Sequence, residues 1–278
     1  MREIVFPGVG SAPVIGQGTW NMGERGADRS AEAAALRHGL SLGLRLIDTA
    51  EMYADGGAEE VVAEAIAGLR DQVFLVSKVY PHNASRAGVR AACERSLRRL
   101  RTERIDLYLL HWRGNIPLGD TIAGFEALRE QGKIGAWGVS NFGVSDMAEL
   151  ARTRHGHGCA TNQILYNPEH RGVEFDLLGL CASRDMPVMA YSPVGQGGRL
   201  LRHAALKAVA ARHGAVPAQI ALAWALRQAN VMVIPKASTP AHLDQNAAAA
   251  EIALSPEDLV EIDAAYSPPR AAQPLAML

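Results

Sequence analysis

Short apolar runs of strand length alternate with longer stretches of helical spacing through most of the chain. The run Ile105 to Trp112, IDLYLLHW, shows the strand type most clearly: it is apolar on both faces and ends in His111 and Trp112 before the loop Arg113 to Pro117. A run without polar alternation suits a strand buried on both faces of a parallel sheet better than a half-exposed hairpin strand. Similar runs are LRLIDTA, with its strand ending at Asp48, VFLVSK ending at Lys78, IGAWGVSN, CATNQ, PVMAYSP and VMVIPK.

Helical periodicity fills the intervals. One helix is predicted from Asp28 to Ser30, with Ser30 as N-cap, as far as Leu42, where Gly43 stops it. AEEVVAEAIAGL, SRAGVRAACERSLRRL, Thr121 to Glu130, Ser145 to Arg152 and Glu174 to Arg184 supply further helices. His203 to about Arg227 reads as a helical stretch interrupted near Gly214 to Pro217, and Pro240 to Ala250 follows the last strand. The opening IVFPGVGSAPVIGQGTW predicts a small hairpin broken by Pro7, Gly8 and Gly10, ahead of a first buried strand at Val14 to Gln17. About eight strands, each followed by a helix, is the count of a closed barrel. The expected fold is therefore α/β, a (β/α)8 TIM barrel with an N-terminal β-hairpin, as one domain over residues 1–278. A doubly wound open sheet is the alternative, weakened because no GxGxxG turn joins the first strand to its helix.

Composition narrows the partners. With 278 residues, 48% of them hydrophobic, and a formal net charge of -1, the chain can bury one large core and has no general attraction for nucleic acid or anionic membrane. Any anion must be held locally. Arg95, Arg98, Arg99, Arg101 and Arg104 read as the exposed face and last turn of one helix. Cys93, Cys159 and Cys181 are odd in number and lack ligand spacing, which points to a reducing, cytoplasmic setting. No signal-peptide h-region opens the chain, and no apolar run approaches the ~18 residues of a membrane span. The histidines show no HxxxH spacing, and the pair His155 and His157 reads as an exposed loop, so no metal is expected. A monomer acting on a small molecule is the expected form.

In barrels of parallel strands the chemistry sits at the carboxyl ends of the strands. His111 alone is as well explained as a core histidine bonded to a backbone carbonyl. However, Asp48, Lys78 and His111 end the second, third and fourth barrel strands, and Tyr53 lies just after the second. Adjacent strands lie about 5 Å apart, so the four can converge. A phenol with its ordinary pKa of about 10 is too weak an acid at neutral pH unless a cation stabilises the phenolate. Lys78 supplies that cation and Asp48 holds Lys78. Tyr53 then donates a proton while His111 hydrogen-bonds the substrate oxygen, as a carbonyl needs when negative charge grows there during reduction. Taken singly, each has a plainer explanation: Asp48 as a helix cap, Tyr53 as packing, Lys78 as a solvated strand end.

The segments LIDTAEMY, VSKV, SLRRLRTERIDLYLLHW, GVSNF and IPKAS, in that order, resemble the aldo-keto reductase family, its bacterial, methylglyoxal reductase-like members most of all. The resemblance covers nearly the whole chain. It implies a (β/α)8 barrel without a Rossmann domain, a nicotinamide cofactor extended across the strand ends, NADPH with NADH as the alternative, and reduction of aldehydes and ketones. The family's catalytic tetrad falls on Asp48, Tyr53, Lys78 and His111. Ser140 and Asn141 end the fifth strand and Gln163 the sixth; these groups can clamp a carboxamide, and the family's matching residues hold the nicotinamide. Tyr191 closes the seventh strand, where the family stacks an aromatic ring on the nicotinamide. An ordinary core tyrosine is the plainer alternative.

Ser192, Val194 and Gly195 belong to the loop that in relatives reaches over the pyrophosphate. Lys236 ends the eighth strand, and Ser238 and Thr239 precede Pro240 at a helix start, so a cation, side-chain donors, free N–H groups and a helix dipole can meet an anion. By resemblance, Lys236, Ser238 and Thr239 take the adenosine 2′-phosphate, and Gln245 and Asn246 the adenine. Relatives commonly place an arginine at the position of His242, and a histidine cannot give the same bidentate grip. Trp20 and Trp112 are expected to wall the substrate pocket beside Tyr53 and His111, with Arg113 and Asn115 at its rim. The tail after Tyr266, SPPRAAQPLAML, is short enough to leave that pocket open to small aldehydes, dicarbonyls or sugar-derived ketones. Two rivals remain: a non-catalytic nicotinamide-binding module of the same fold, and a Schiff-base aldolase using Lys78 as nucleophile.

Overall fold

The computed structural model describes all 278 residues. Strands β1 (Glu3–Phe6) and β2 (Gly10–Pro13) form the predicted antiparallel hairpin, paired from Glu3 with Pro13 to Phe6 with Gly10. Its contacts place it across the N-terminal mouth of the barrel: Arg2 donates to the carbonyls of Leu226 and Ala229, Arg45 pairs with Glu3, and Phe6 packs on Phe74. Eight parallel strands follow: β3 (Gln17–Gly18), β4 (Leu46–Asp48), β5 (Phe74–Val79), β6 (Ile105–Leu110), β7 (Ile134–Ser140), β8 (Cys159–Leu165), β9 (Val188–Tyr191) and β10 (Val231–Val233). They pair in chain order from β3 to β10.

The sheet closes on itself through parallel bridges from Ile15 to Val233 and from Gly18 to Lys236. Gly16 N–H donates to Val233 O at 2.8 Å and Gly18 N–H to Pro235 O at 3.0 Å. The closure depends on glycine, because a Cβ on Gly18 would lie 2.8 Å from the carbonyl oxygen of Ile234. The first barrel strand is thus displaced from the expected Val14 to Gln17, its regular part beginning only at Gln17. One continuous cluster of 71 buried residues fills the barrel and the layer beneath the helices, so the strands that carry functional side chains are held in a packed core.

Several helix ends differ from the sequence reading for local reasons. Asp28, not Ser30, caps helix Arg29–Ser41: its carboxylate accepts from Ala31 N–H, and Ser30 donates its hydroxyl to the same oxygen. The stretch Glu174 to Arg184 yields only Leu177–Ala182 as α-helix, preceded by a 3-10 turn over Gly172–Glu174. The stretch after His203 splits as expected, into Ala204–Arg212 and Pro217–Leu226. A last helix, Pro256–Ala265, was not anticipated, although Ser255 and Asp258 form a capping box at its start. No helix is long and apolar enough to cross a membrane.

Candidate active site

The carboxyl ends of the barrel strands open into a cleft of about 970 Å3. Asp48 is the last residue of β4 and its side chain is nearly sealed from solvent. One carboxylate oxygen accepts from Lys78 Nζ at 2.7 Å, and the other accepts from Gln163 Nε2 at 2.8 Å. Lys78, on β5 and fully buried, also donates to Thr49 O at 2.9 Å and to Tyr53 Oη at 3.2 Å. Three acceptors saturate the three ammonium protons. Burial alone would disfavour the ammonium, but Asp48 and then Tyr53 outweigh it and hold the Lys78 pKa above its ordinary value.

Tyr53 opens a 3-10 turn, Tyr53–Gly56, on the connection that follows β4 and directly before helix Gly57–Ile66. Its phenol departs from the sequence expectation. Burial raises its pKa, and although Lys78 pulls the other way, the net direction is upward. Tyr53 therefore holds its proton firmly at neutral pH.

His111 follows β6 immediately, and its ring meets that of Tyr53 edge-on at 5.6 Å between centroids. Burial, reinforced by the Lys78 charge, drives its pKa down to about 2, so the imidazole is neutral. Nδ1 is buried without a hydrogen-bond partner, which leaves Nε2 as the nitrogen able to serve the cleft.

Beside this group lie the end of β7 and the middle of β8. Ser140 donates its hydroxyl to Gln163 O at 2.9 Å. Asn141, at φ 58°, donates to His111 O at 3.2 Å and accepts from Tyr191 Oη at 2.9 Å, which fixes the tyrosine ring at the end of β9. Gln163 sits inside β8, two residues short of its end at Leu165, and not at the strand terminus as expected. Beyond Tyr191, Ser192 adopts φ 48° and is pinned by Asn167, whose Nδ2 donates to Ser192 O at 2.9 Å.

The structure brings Asp48, Tyr53, His111, Ser140, Asn141, Gln163, Tyr191, Ser192, Val194, Lys236, His242, Gln245 and Asn246 to the cleft wall, with Trp20 and Trp112 among them. Lys78 lies beneath. Gly195, Ser238 and Thr239 do not line it. Thr239 instead caps helix Pro240–Ala248 by accepting from His242 N–H, and Ser238 accepts from Lys236 Nζ at 3.4 Å. Arg113 also departs from expectation: it pairs with Glu149 and donates to the carbonyls of Gly114 and Ile116, and neither it nor Asn115 reaches the cleft.

Several lining residues escape the sequence reading, and three groups of them stand out. Val216, Pro217 and Ala218 wall the cleft at the start of helix Pro217–Leu226, and Met52 lines it beside Tyr53. Met277 and Leu278 return to line it as well, so the short tail forms part of its wall. Nothing in SPPRAAQPLAML signals where an extended tail will settle, because such a tail follows neighbouring surfaces and has no periodicity of its own.

The family model for the aldo/keto reductase family matches residues 14–267. Methylglyoxal reductase YeaE of Escherichia coli K12 is 53% identical over 281 residues, covering 100% of this chain and 99% of that protein. A crystal structure of an aldo/keto reductase from Klebsiella pneumoniae in complex with NADP and acetate superposes with a TM-score of 0.97 at 51% identity, covering 99% of both chains. A second structure from K. pneumoniae, in complex with NADPH, gives the same TM-score of 0.97 and identity of 51% over the full length of both chains.

Proposed function

Because the chain belongs to the aldo/keto reductase family, we propose that it uses NADPH to reduce small aldehydes and dicarbonyls to alcohols, with Tyr53 as the proton donor. The observation that carries this reading is the buried chain of contacts from Gln163 through Asp48 and Lys78 to Tyr53 Oη, ending at the cleft floor.

The residues present fit a dinucleotide. Gln163 spends one amide proton on Asp48 and keeps its carbonyl oxygen for a carboxamide. Tyr191 has its hydroxyl fixed by Asn141 and so offers a ring of fixed orientation. At the other end, exposed Lys236 lies shortly before helix Pro240–Ala248, whose first turn is capped by Thr239, so a cation and a helix N-terminus together suit a phosphate. Gln245 and Asn246 would flank the adenine. Bound there, the reduced nicotinamide supplies the hydride that a carbonyl carbon accepts.

The chain's own groups handle the oxygen. Neutral His111, protonated on Nε2, donates a hydrogen bond to the carbonyl and orients it. Tyr53 transfers its proton as charge develops, and the phenolate left behind is stabilised by the Lys78 ammonium at 3.2 Å. Asp48 keeps Lys78 in place and charged. Trp20, Met52 and Trp112 give the cleft an apolar wall.

Replacing Tyr53 with Phe tests this. Turnover is expected to fall by about 10²- to 10⁴-fold, with NADPH affinity by fluorescence titration within about threefold of the parent. Turnover near the parent's would remove Tyr53 from the role. The non-catalytic module is disfavoured by the complete tetrad, in which Asp48, Lys78 and Tyr53 are hydrogen-bonded in series and the His111 ring lies against that of Tyr53. An aldolase needs a neutral amine as nucleophile, whereas the Lys78 ammonium is saturated by three acceptors.

A further inference from the structure

The turn that carries Tyr53 is anchored at both ends by carboxylates outside the tetrad. Glu51, two residues before Tyr53, has a side chain only 7% exposed. One of its oxygens accepts from Tyr80 N–H at 2.8 Å and from Asn83 Nδ2 at 3.0 Å, and the other faces Arg95 at 3.1 Å. Its own N–H donates to Lys78 O at 3.3 Å. Glu59, six residues after Tyr53, is fully buried. It accepts from Ser77 Oγ at 2.7 Å and pairs with Arg99 at 2.6 Å.

The anchor points are Ser77, the carbonyl of Lys78, and Tyr80, so they bracket Lys78 on β5. Both cations come from helix Arg86–Leu100, where Arg95 and Arg99 stand one turn apart on the same face. These two arginines are therefore half-buried and paired, contrary to the exposed face that the sequence suggested. Arg99 also packs against Gly56, where a Cβ would lie 2.4 Å from its Nε. Between the anchors, Ala54 and Asp55 take left-handed backbone at φ 50° and 53°, which side-chain-bearing residues adopt only when their surroundings enforce it. Without the anchors this turn would relax and carry Tyr53 with it.

We propose that Glu51 and Glu59, backed by Arg95 and Arg99, are positioning residues that set the distance between Tyr53 Oη and Lys78 Nζ. The inference rests on the reading of Tyr53 as proton donor. It assigns the two carboxylates no contact with substrate or cofactor: they act by fixing the turn against the strand that carries Lys78. The charged and titratable groups facing Tyr53 itself are Lys78, Asp48 and His111.

The test compares Glu51→Gln, Glu59→Gln and the half-exposed Arg95→Ala with the parent and with Tyr53→Phe. NADPH titration counts competent sites in each. Turnover per competent site is expected to fall about 10- to 100-fold for the glutamate variants and less for Arg95→Ala. The KM for the carbonyl should stay within about threefold. The solvent deuterium isotope effect on kcat should rise, because proton transfer from a displaced phenol becomes the slow step. Arg95→Lys should recover most of what Arg95→Ala loses. A purely structural role would lower the number of competent sites and leave turnover per site and the isotope effect at parental values, which would overturn the proposal. If Glu59→Gln does not fold, Glu51→Gln and the Arg95 pair decide. If Tyr53→Phe is inactive while the anchor variants turn over normally, only the positioning role falls; if Tyr53→Phe stays active, the reading beneath it falls too.

Discussion

Burial sets the protonation of Tyr53 and His111 at the cleft floor, and the consequence reaches beyond catalysis. His111 is neutral in the folded chain because its pKa is pushed down to about 2 by burial and by Lys78, whereas in the unfolded chain an imidazole titrates at about 6.5. Below that value the unfolded chain takes up a proton that the folded chain refuses, so stability falls as pH falls, by up to about 1.4 kcal/mol per pH unit. From pH 7 to pH 5 this one residue should cost about 2 kcal/mol. Urea unfolding at the two pH values should show His111→Gln losing about that much less than the parent; equal pH sensitivity in both would mean that His111 is not held neutral by its surroundings. The same neutrality predicts no loss of reduction rate from His111 protonation on the acid side of pH 7, since only the neutral ring is present in the folded chain.

Among the secondary-structure elements, the start of helix Pro240–Ala248 has the clearest room for improvement. His242 lines the cleft at the third position of this helix, close in sequence to exposed Lys236, while Thr239 is occupied as the cap. An arginine there would add a permanent charge and a two-pronged donor toward a phosphate. His242→Arg is expected to lower the NADPH dissociation constant about 3- to 10-fold, on the order of 1 kcal/mol, with a smaller effect on NADH. An unchanged or weaker constant would remove His242 from the phosphate end. The element scale is also where the sequence was most and least readable. Asp48, Lys78 and His111 were legible because each polar side chain closes or directly follows an apolar run. The cap of helix Arg29–Ser41 was misassigned because Asp28 and Ser30 are both good caps and only the fold selects one. Arg95 and Arg99 look like any charged helix face until Glu51 and Glu59 arrive from another part of the chain.

Across the whole molecule, the distribution of charge bears on which carbonyls are accepted. The chain is close to neutral, at -1, and the cleft that holds Tyr53 and His111 is lined by Trp20, Met52 and Trp112, with Met277 and Leu278 contributed by the tail. The nearby cations are committed: Lys78 is bound by Asp48 beneath the floor, and Arg113 is turned toward Glu149. Lys236 belongs to the far end, after β10. A carboxylate on the substrate would therefore lose water without gaining a partner, a cost that uncharged carbonyls avoid. A three-carbon ketoaldehyde should accordingly be favoured over the corresponding ketoacid by at least about tenfold in kcat/KM, an order of 1.4 kcal/mol. Intrinsic reactivity contributes to that ratio, so the decisive measurement is its change on Trp20→Arg. A cation on the exposed edge of this wall should raise the relative rate for the ketoacid about 3- to 10-fold, and the gain should shrink as salt screens the new charge. If the ratio is insensitive to the substitution and to ionic strength, the apolar wall does not select against anions, and selectivity must come from the shape of the cleft.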